Sequence, residues 1–183
     1  MIYSKDDLKE YISCDNNFLR PSNLKEQYLA KVLNYPIYQL RKYLKLLRKQ
    51  EYYINTANGS RLKGLISLWY ERRKNRLGNK LGIEIGPNCF GKGLSIWHIG
   101  SIIINNDAKI GENCTLHGSN CIGNNGRNKA VPRIGNGVDI GYGAVIIGDI
   151  EIADNVVIGA NSVVNKSILA PGSVVVGAPG RVI

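Results

Sequence analysis

Residues 134–164 read IGNGVD IGYGAV IIGDIE IADNVV IGANSV V, with an aliphatic residue opening every block of six. Steps of six from Ile134 land on Ile140, Ile146, Ile152, Ile158 and Val164, then on Ala170 and Val176. The same phase runs upstream through Ile104, Ile110, Leu116 and Ile122, and it survives a gap of two hexads between Ile122 and Ile134. Neither a helix nor an alternating strand has a period of six. Short straight segments joined by sharp corners do, because every sixth side chain then returns to the same kind of interior site. Three segments close a coil of about 18 residues, and coils stack about 4.8 Å apart like neighbouring strands. Each coil buries its aliphatics only against its neighbours. Gly follows the aliphatic position at Gly111, Gly123, Gly135, Gly141, Gly159 and Gly177, as corners require. The period predicts a parallel β-helix.

The rest of the chain is built differently. Residues 1–80 carry 17 Lys and Arg against 7 Asp and Glu, which is the whole net charge of +10. Residues 81–183 carry 7 of each and 18 of the 21 glycines. Two domains are expected, a basic helical one over 1–80 and the coil over 81–183. Helices are expected over residues 5–13 and 24–33, with a turn at Pro21-Ser22-Asn23. A third starts at Pro36, where Ile37, Leu40, Leu44 and Leu47 form one apolar face. Arg41, Lys42, Lys45, Arg48 and Lys49 occupy its other faces, and Leu62, Leu65, Ile66 and Trp69 mark a fourth helix.

Composition excludes several classes. No 18-residue apolar run spans a membrane, although the basic surface allows peripheral contact. No nucleic-acid motif accompanies the charge, so nucleic acid is not the expected partner. Cys14, Cys89, Cys114 and Cys121 lack zinc spacing, and no apolar signal-type run follows Met1. Reduced thiols and a cytoplasmic location are expected.

Both histidines lie in the coil region. His98 is six before Ile104, in phase with the aliphatic row. His117 follows at one full coil plus one position, so the two are expected close together on adjacent coils. The polar segment 123–133, GNNGRNKAVPR, replaces two hexads and is expected to project as a loop.

The hexads, with GLSIWHIG at 93–100, IGENCTLH at 110–117 and GAPGRVI at 177–183, resemble the hexapeptide-repeat acyltransferases, serine-acetyltransferase-like branch. That resemblance implies a left-handed β-helix, mainly β with a small helical region before it. It implies an O-acetyltransferase with acetyl-CoA as donor and His98 as general base. Imidazole suits that task at neutral pH. His117 would orient the acceptor or share the proton work, and backbone N–H groups near Gly123-Asn124 would hold the oxyanion. Tyr142, Ala160, Asn165, Lys166 and Arg181 would contact coenzyme A, with Lys166 and Arg181 suited to its phosphates. A homotrimer with sites between chains is implied, and higher assembly is open.

Two departures from that branch bear on the acceptor. Trp97 stands where an Asp precedes the catalytic histidine, and Ala130-Val131-Pro132 stands where the branch has Arg-His-Pro. A zwitterionic amino acid wants charged partners, whereas an aromatic ring stacks on sugar. The expected acceptor is therefore a saccharide hydroxyl, as in surface or capsular polysaccharide modification. The alternatives are serine O-acetyltransfer and a non-catalytic scaffold. Glu84 is the nearby carboxylate that could orient His98. No metal is expected, because a zinc carbonic anhydrase on this fold needs three histidines and the chain has two.

Overall fold

A computed structural model describes residues 1–15, 17 and 23–183. They form four helices, α1 (Lys5–Cys14), α2 (Leu24–Val32), α3 (Pro36–Asn55) and α4 (Arg61–Leu81). Fourteen short strands follow: β1 (Ile83–Ile85), β2 (Ser95–Ile96), β3 (Ile102–Ile104), β4 (Lys109–Ile110), β5 (Thr115–Leu116), β6 (Cys121–Gly123) and β7 (Arg133–Ile134), then β8 (Asp139–Ile140), β9 (Val145–Ile147), β10 (Glu151–Ile152), β11 (Val157–Ile158), β12 (Val163–Val164), β13 (Val174–Val176) and β14 (Arg181–Val182). The expected turn at Pro21-Ser22 lies outside the described residues, but Asn23 caps α2 by accepting from the Glu26 N–H at 2.9 Å. Ser4 and Asp7 form a capping box at α1, and Pro36 opens α3.

The strands make three sheets, one per face of a triangular coil. The first runs β1, β3, β6, β9, β12, the second β4, β7, β10, and the third β2, β5, β8, β11, β13, β14. All pairings are parallel except that of β14 on β13. This is the parallel β-helix that the hexads predict, with the left hand that the family resemblance implies. The row from Ile104 to Val164 is buried throughout.

The phase ends sooner than expected. Val145 pairs with Val163, three full hexads on, but Val157 pairs with Val174, one position short of three hexads. Ile168 and Val175 are the buried residues of the last coil, while Ala170 and Val176 face outward. His98 also leaves the row. Ser95 pairs with Thr115, so this coil exceeds three hexads by two positions, and the two extra residues widen the corner after Ile96. Ile96 is buried and His98 is exposed.

The corner glycines Gly111, Gly135, Gly141 and Gly159 work by close approach rather than by unusual φ. A Cβ on Gly141 would sit 2.6 Å from the Ala160 nitrogen and 2.7 Å from the Ile158 oxygen of the next coil. The positive φ falls two residues later, at Gly143 here and at Asn113 in an equivalent corner. Gly141→Ala is expected to cost about 1–3 kcal/mol through overpacking. A urea midpoint equal to that of the wild type would contradict the close approach.

The helices cover the open end of the first coil. Leu40, Tyr43, Leu44 and Leu47 of α3 join one continuous core with Ile83, Ile85, Leu94 and the coil interior. Polar groups satisfy the coil's outermost backbone. The Ile85 N–H donates to the Tyr43 hydroxyl at 3.1 Å, and Lys74 Nζ donates to the Ile85 carbonyl at 2.8 Å. Arg48, expected on a solvated face, is fully buried between Asp15 and Glu51. Three of the four apolar residues that mark α4, Leu62, Leu65 and Trp69, instead face solvent, Leu62 being 68% and Trp69 50% exposed. Ser67, Lys74, Gly78 and Leu81 form its buried face. A Cβ on Gly78 would collide with the Ile83 carbonyl oxygen, so a small residue is what lets α4 lie against the coil.

All four cysteines are free thiols. Burial pushes Cys89 and Cys114 up to about 11. Among the described residues no helix is long and apolar enough to cross a membrane.

Candidate active site

One edge of the prism, between the third sheet and the first, gathers both histidines. Strand register sets Trp97 beside His117 and His98 beside Gly118. A Cβ on Gly118 would lie 3.3 Å from the His98 Cβ and 3.0 Å from the Tyr142 ring, so the absence of a side chain there lets His98 and Tyr142 flank one corner. His98 and His117 thus stand on adjacent coils, offset by the widened corner rather than by an even three hexads.

The two histidines differ in surroundings. His117 Nε2 lies 2.7 Å from Asp139 Oδ1, and its ring stacks on Trp97 with centroids 4.7 Å apart. Ser119 Oγ donates to the Tyr142 hydroxyl at 3.0 Å. His98 has no hydrogen-bond partner among the described residues. Glu84 does not orient it: its exposed side chain sits on β1 opposite Ile103.

Asp139 was not among the sequence candidates. The signal for it was the segment 123–133. That segment lengthens its coil from three hexads to four, so Thr115 pairs with Asp139. It therefore adds one hexad to a coil rather than replacing two. Counting four hexads from Thr115 finds the carboxylate that reaches His117.

The other expected residues divide between edges. Tyr142 and Ala160 lie on the histidine edge, each one residue past a corner glycine. Asn165 and Lys166 follow β12 and are exposed on the edge between the first and second sheets. Arg181 is on β14 at the end of the third sheet. Gly123-Asn124 stands at the opposite end of β6 from His117, so one chain does not bring those amides to the histidines. The loop after it folds on its own asparagines: Asn124 accepts from the Gly126 N–H, Asn125 from the Arg127 N–H and Asn128 from the Ala130 N–H. Among the described residues no three His, Cys, Asp or Glu side chains cluster as metal ligands.

No family model matches the chain. A serine acetyltransferase of Staphylococcus aureus (strain Mu50 / ATCC 700699) is 43% identical over 105 residues, which cover 56% of this chain and 49% of that protein. The chain thus spans about half the length of the relatives it matches. A soybean serine acetyltransferase complexed with serine superposes with a TM-score of 0.73 at 26% identity, over 98% of this chain and 70% of that one. A serine acetyltransferase in complex with CoA shares the fold at a TM-score of 0.73 and 22% identity, over 98% of this chain and 71% of that one.

The coil is therefore similar in sequence and in architecture to the hexapeptide-repeat acyltransferases. Within them the similarity is to the serine-acetyltransferase-like branch. This overturns the saccharide expectation, since the matching proteins are serine acetyltransferases. That expectation rested on Trp97 as an aromatic ring beside the base and on missing charges. The structure engages one face of Trp97 with the His117 ring, and Asp139 sets a carboxylate against that imidazole.

Proposed function

We propose that the chain is an acetyl-CoA-dependent O-acetyltransferase that acts on the hydroxyl of L-serine. The observation that carries this is the 43% identity to a serine acetyltransferase over 105 residues, 56% of this chain. His98 is exposed beside a corner closed by Gly118 and Tyr142, where an acceptor can reach it. As general base it takes the hydroxyl proton while the oxygen attacks the thioester carbonyl. The tetrahedral intermediate then expels the CoA thiolate, which recovers the proton from the imidazolium. The products are O-acetylserine and CoA.

Tyr142 and Ala160 would line the donor's path on the histidine edge. Asn165, Lys166 and Arg181 would hold its polar end, the two cations facing phosphates. Lys166 sits on a different edge from His98, which supports a homotrimer in which one chain's histidine edge meets its neighbour's lysine edge. Ile99 and Ile103, exposed beside His98, are apolar surface that such contact would cover. Light scattering on the eluting protein should give three times the 20.2 kDa protomer, and a monomer would contradict the assembly. Four free thiols support a cytoplasmic setting.

The activity is tested by thiol release from acetyl-CoA. Release that rises with L-serine and saturates is expected. Release that L-serine leaves unchanged would overturn the proposal.

A further inference from the structure

We infer that the His117–Asp139 pair holds the acceptor amino acid by its two charged ends, the carboxylate on His117 and the ammonium on Asp139. This rests on the serine reading above and names the groups that would confer it. The chain lacks charged residues at Trp97 and over Ala130-Val131-Pro132, yet a zwitterion leaving water needs one partner of each sign. The pair sets an imidazole against a carboxylate on the histidine edge. Its members lie 2.7 Å apart, Nε2 to Oδ1. Each has one further polar atom, His117 Nδ1 and Asp139 Oδ2, without a hydrogen bond among the described residues.

Both side chains are open enough to be reached, at 28% and 46% exposed. They are also held in place. The Trp97 ring lies 27° from the plane of the His117 ring, and the Asp139 contact fixes its rotation. His98 stands beside Gly118, the residue after His117, so the base and the pair lie on neighbouring positions of one edge. As an imidazolium, His117 donates Nε2–H to Asp139 and Nδ1–H to the substrate carboxylate. Asp139 Oδ2 accepts from the ammonium. The four charges then close into a neutral set of charge-assisted hydrogen bonds.

The test compares L-serine with two analogues, ethanolamine, which lacks the carboxylate, and 3-hydroxypropionate, which lacks the ammonium. His117→Gln is expected to raise KM for L-serine by about tenfold or more. It should leave KM for acetyl-CoA unchanged and should not worsen the use of ethanolamine. Asp139→Asn is expected to do the same for L-serine and to spare 3-hydroxypropionate. A His117→Gln enzyme that loses kcat on L-serine and ethanolamine alike would overturn the proposal, because that marks a proton-transfer role. So would variants that keep the wild-type KM for L-serine. If the wild type shows no serine-dependent turnover, the functional reading fails separately. Calorimetric titration of the unliganded protein with L-serine then still decides. Binding weakened by each substitution supports the pair, and no binding by the wild type overturns it. Near-wild-type melting of both variants guards against loss of fold.

Discussion

His98→Ala is expected to lower kcat for acetyl transfer by about 10²–10⁴-fold, the usual contribution of a positioned general base. The argument is geometric. His98 leaves the buried row because its coil carries two extra residues, and the widened corner presents the imidazole to solvent. A histidine kept for packing would sit inside, as Ile96 does. The substitution removes no packed contact of the core, so melting should stay within a degree or two of wild type. Steady-state thiol release checks the rate. A loss of less than about threefold would remove His98 from the mechanism and favour a scaffold role for the coil.

The largest expected effect on stability falls on Arg48. Its guanidinium is fully buried and donates to Asp15 at 2.7 Å, to Glu51 at 3.0 Å and to the carbonyls of Phe90 and Gly91 at 3.0 and 2.7 Å. Burial works against its charge, but Glu51 and Asp15 outweigh that and hold the group above its ordinary range. The same carboxylates serve the first coil directly. Asp15 accepts from the Gly93 and Leu94 N–H groups, and Glu51 accepts from the Asn88 N–H. The network thus stands in for a preceding coil, satisfying the exposed end of the solenoid with side chains from α3 and from Asp15, the residue that caps α1. Arg48→Met keeps the volume but leaves two buried carboxylates without their cation. A loss of about 3–5 kcal/mol is expected, read as a lowered urea midpoint. A loss below about 1 kcal/mol would mean that the network does not hold helices and coil together.

What could be read from the chain depended on the range of the interactions involved. The coil was legible because a solenoid writes its core into the sequence locally: Ile134, Ile140 and Ile146 need only their own spacing to declare an interior. Pro36 and Asn23 declared helix starts for the same reason. Arg48 and Lys74 were not legible as buried, because the carbonyls they reach belong to the coil's end, 43 and 11 residues further on, and not to their own helices. The apolar residues of α4 marked a helix but not its buried face, since the close approach of Ile83 to Gly78 selects that face. Likewise the histidines could be placed near each other from coil arithmetic. The partner of His117 could not, because the hexad added by the 123–133 segment shifts which strand Asp139 joins. Acceptor identity was misjudged for a related reason. Missing charges at two sequence positions said nothing about a histidine and a carboxylate brought together across two coils.

The central claim is that the histidine edge moves an acetyl group from acetyl-CoA to L-serine. The most direct measurement is NMR of a reaction run with acetyl-labelled acetyl-CoA and L-serine. The account predicts labelled acetyl on the serine oxygen, formed by wild type and not by His98→Ala. Labelled acetate alone, or label on serine at the same rate with either protein, would contradict it.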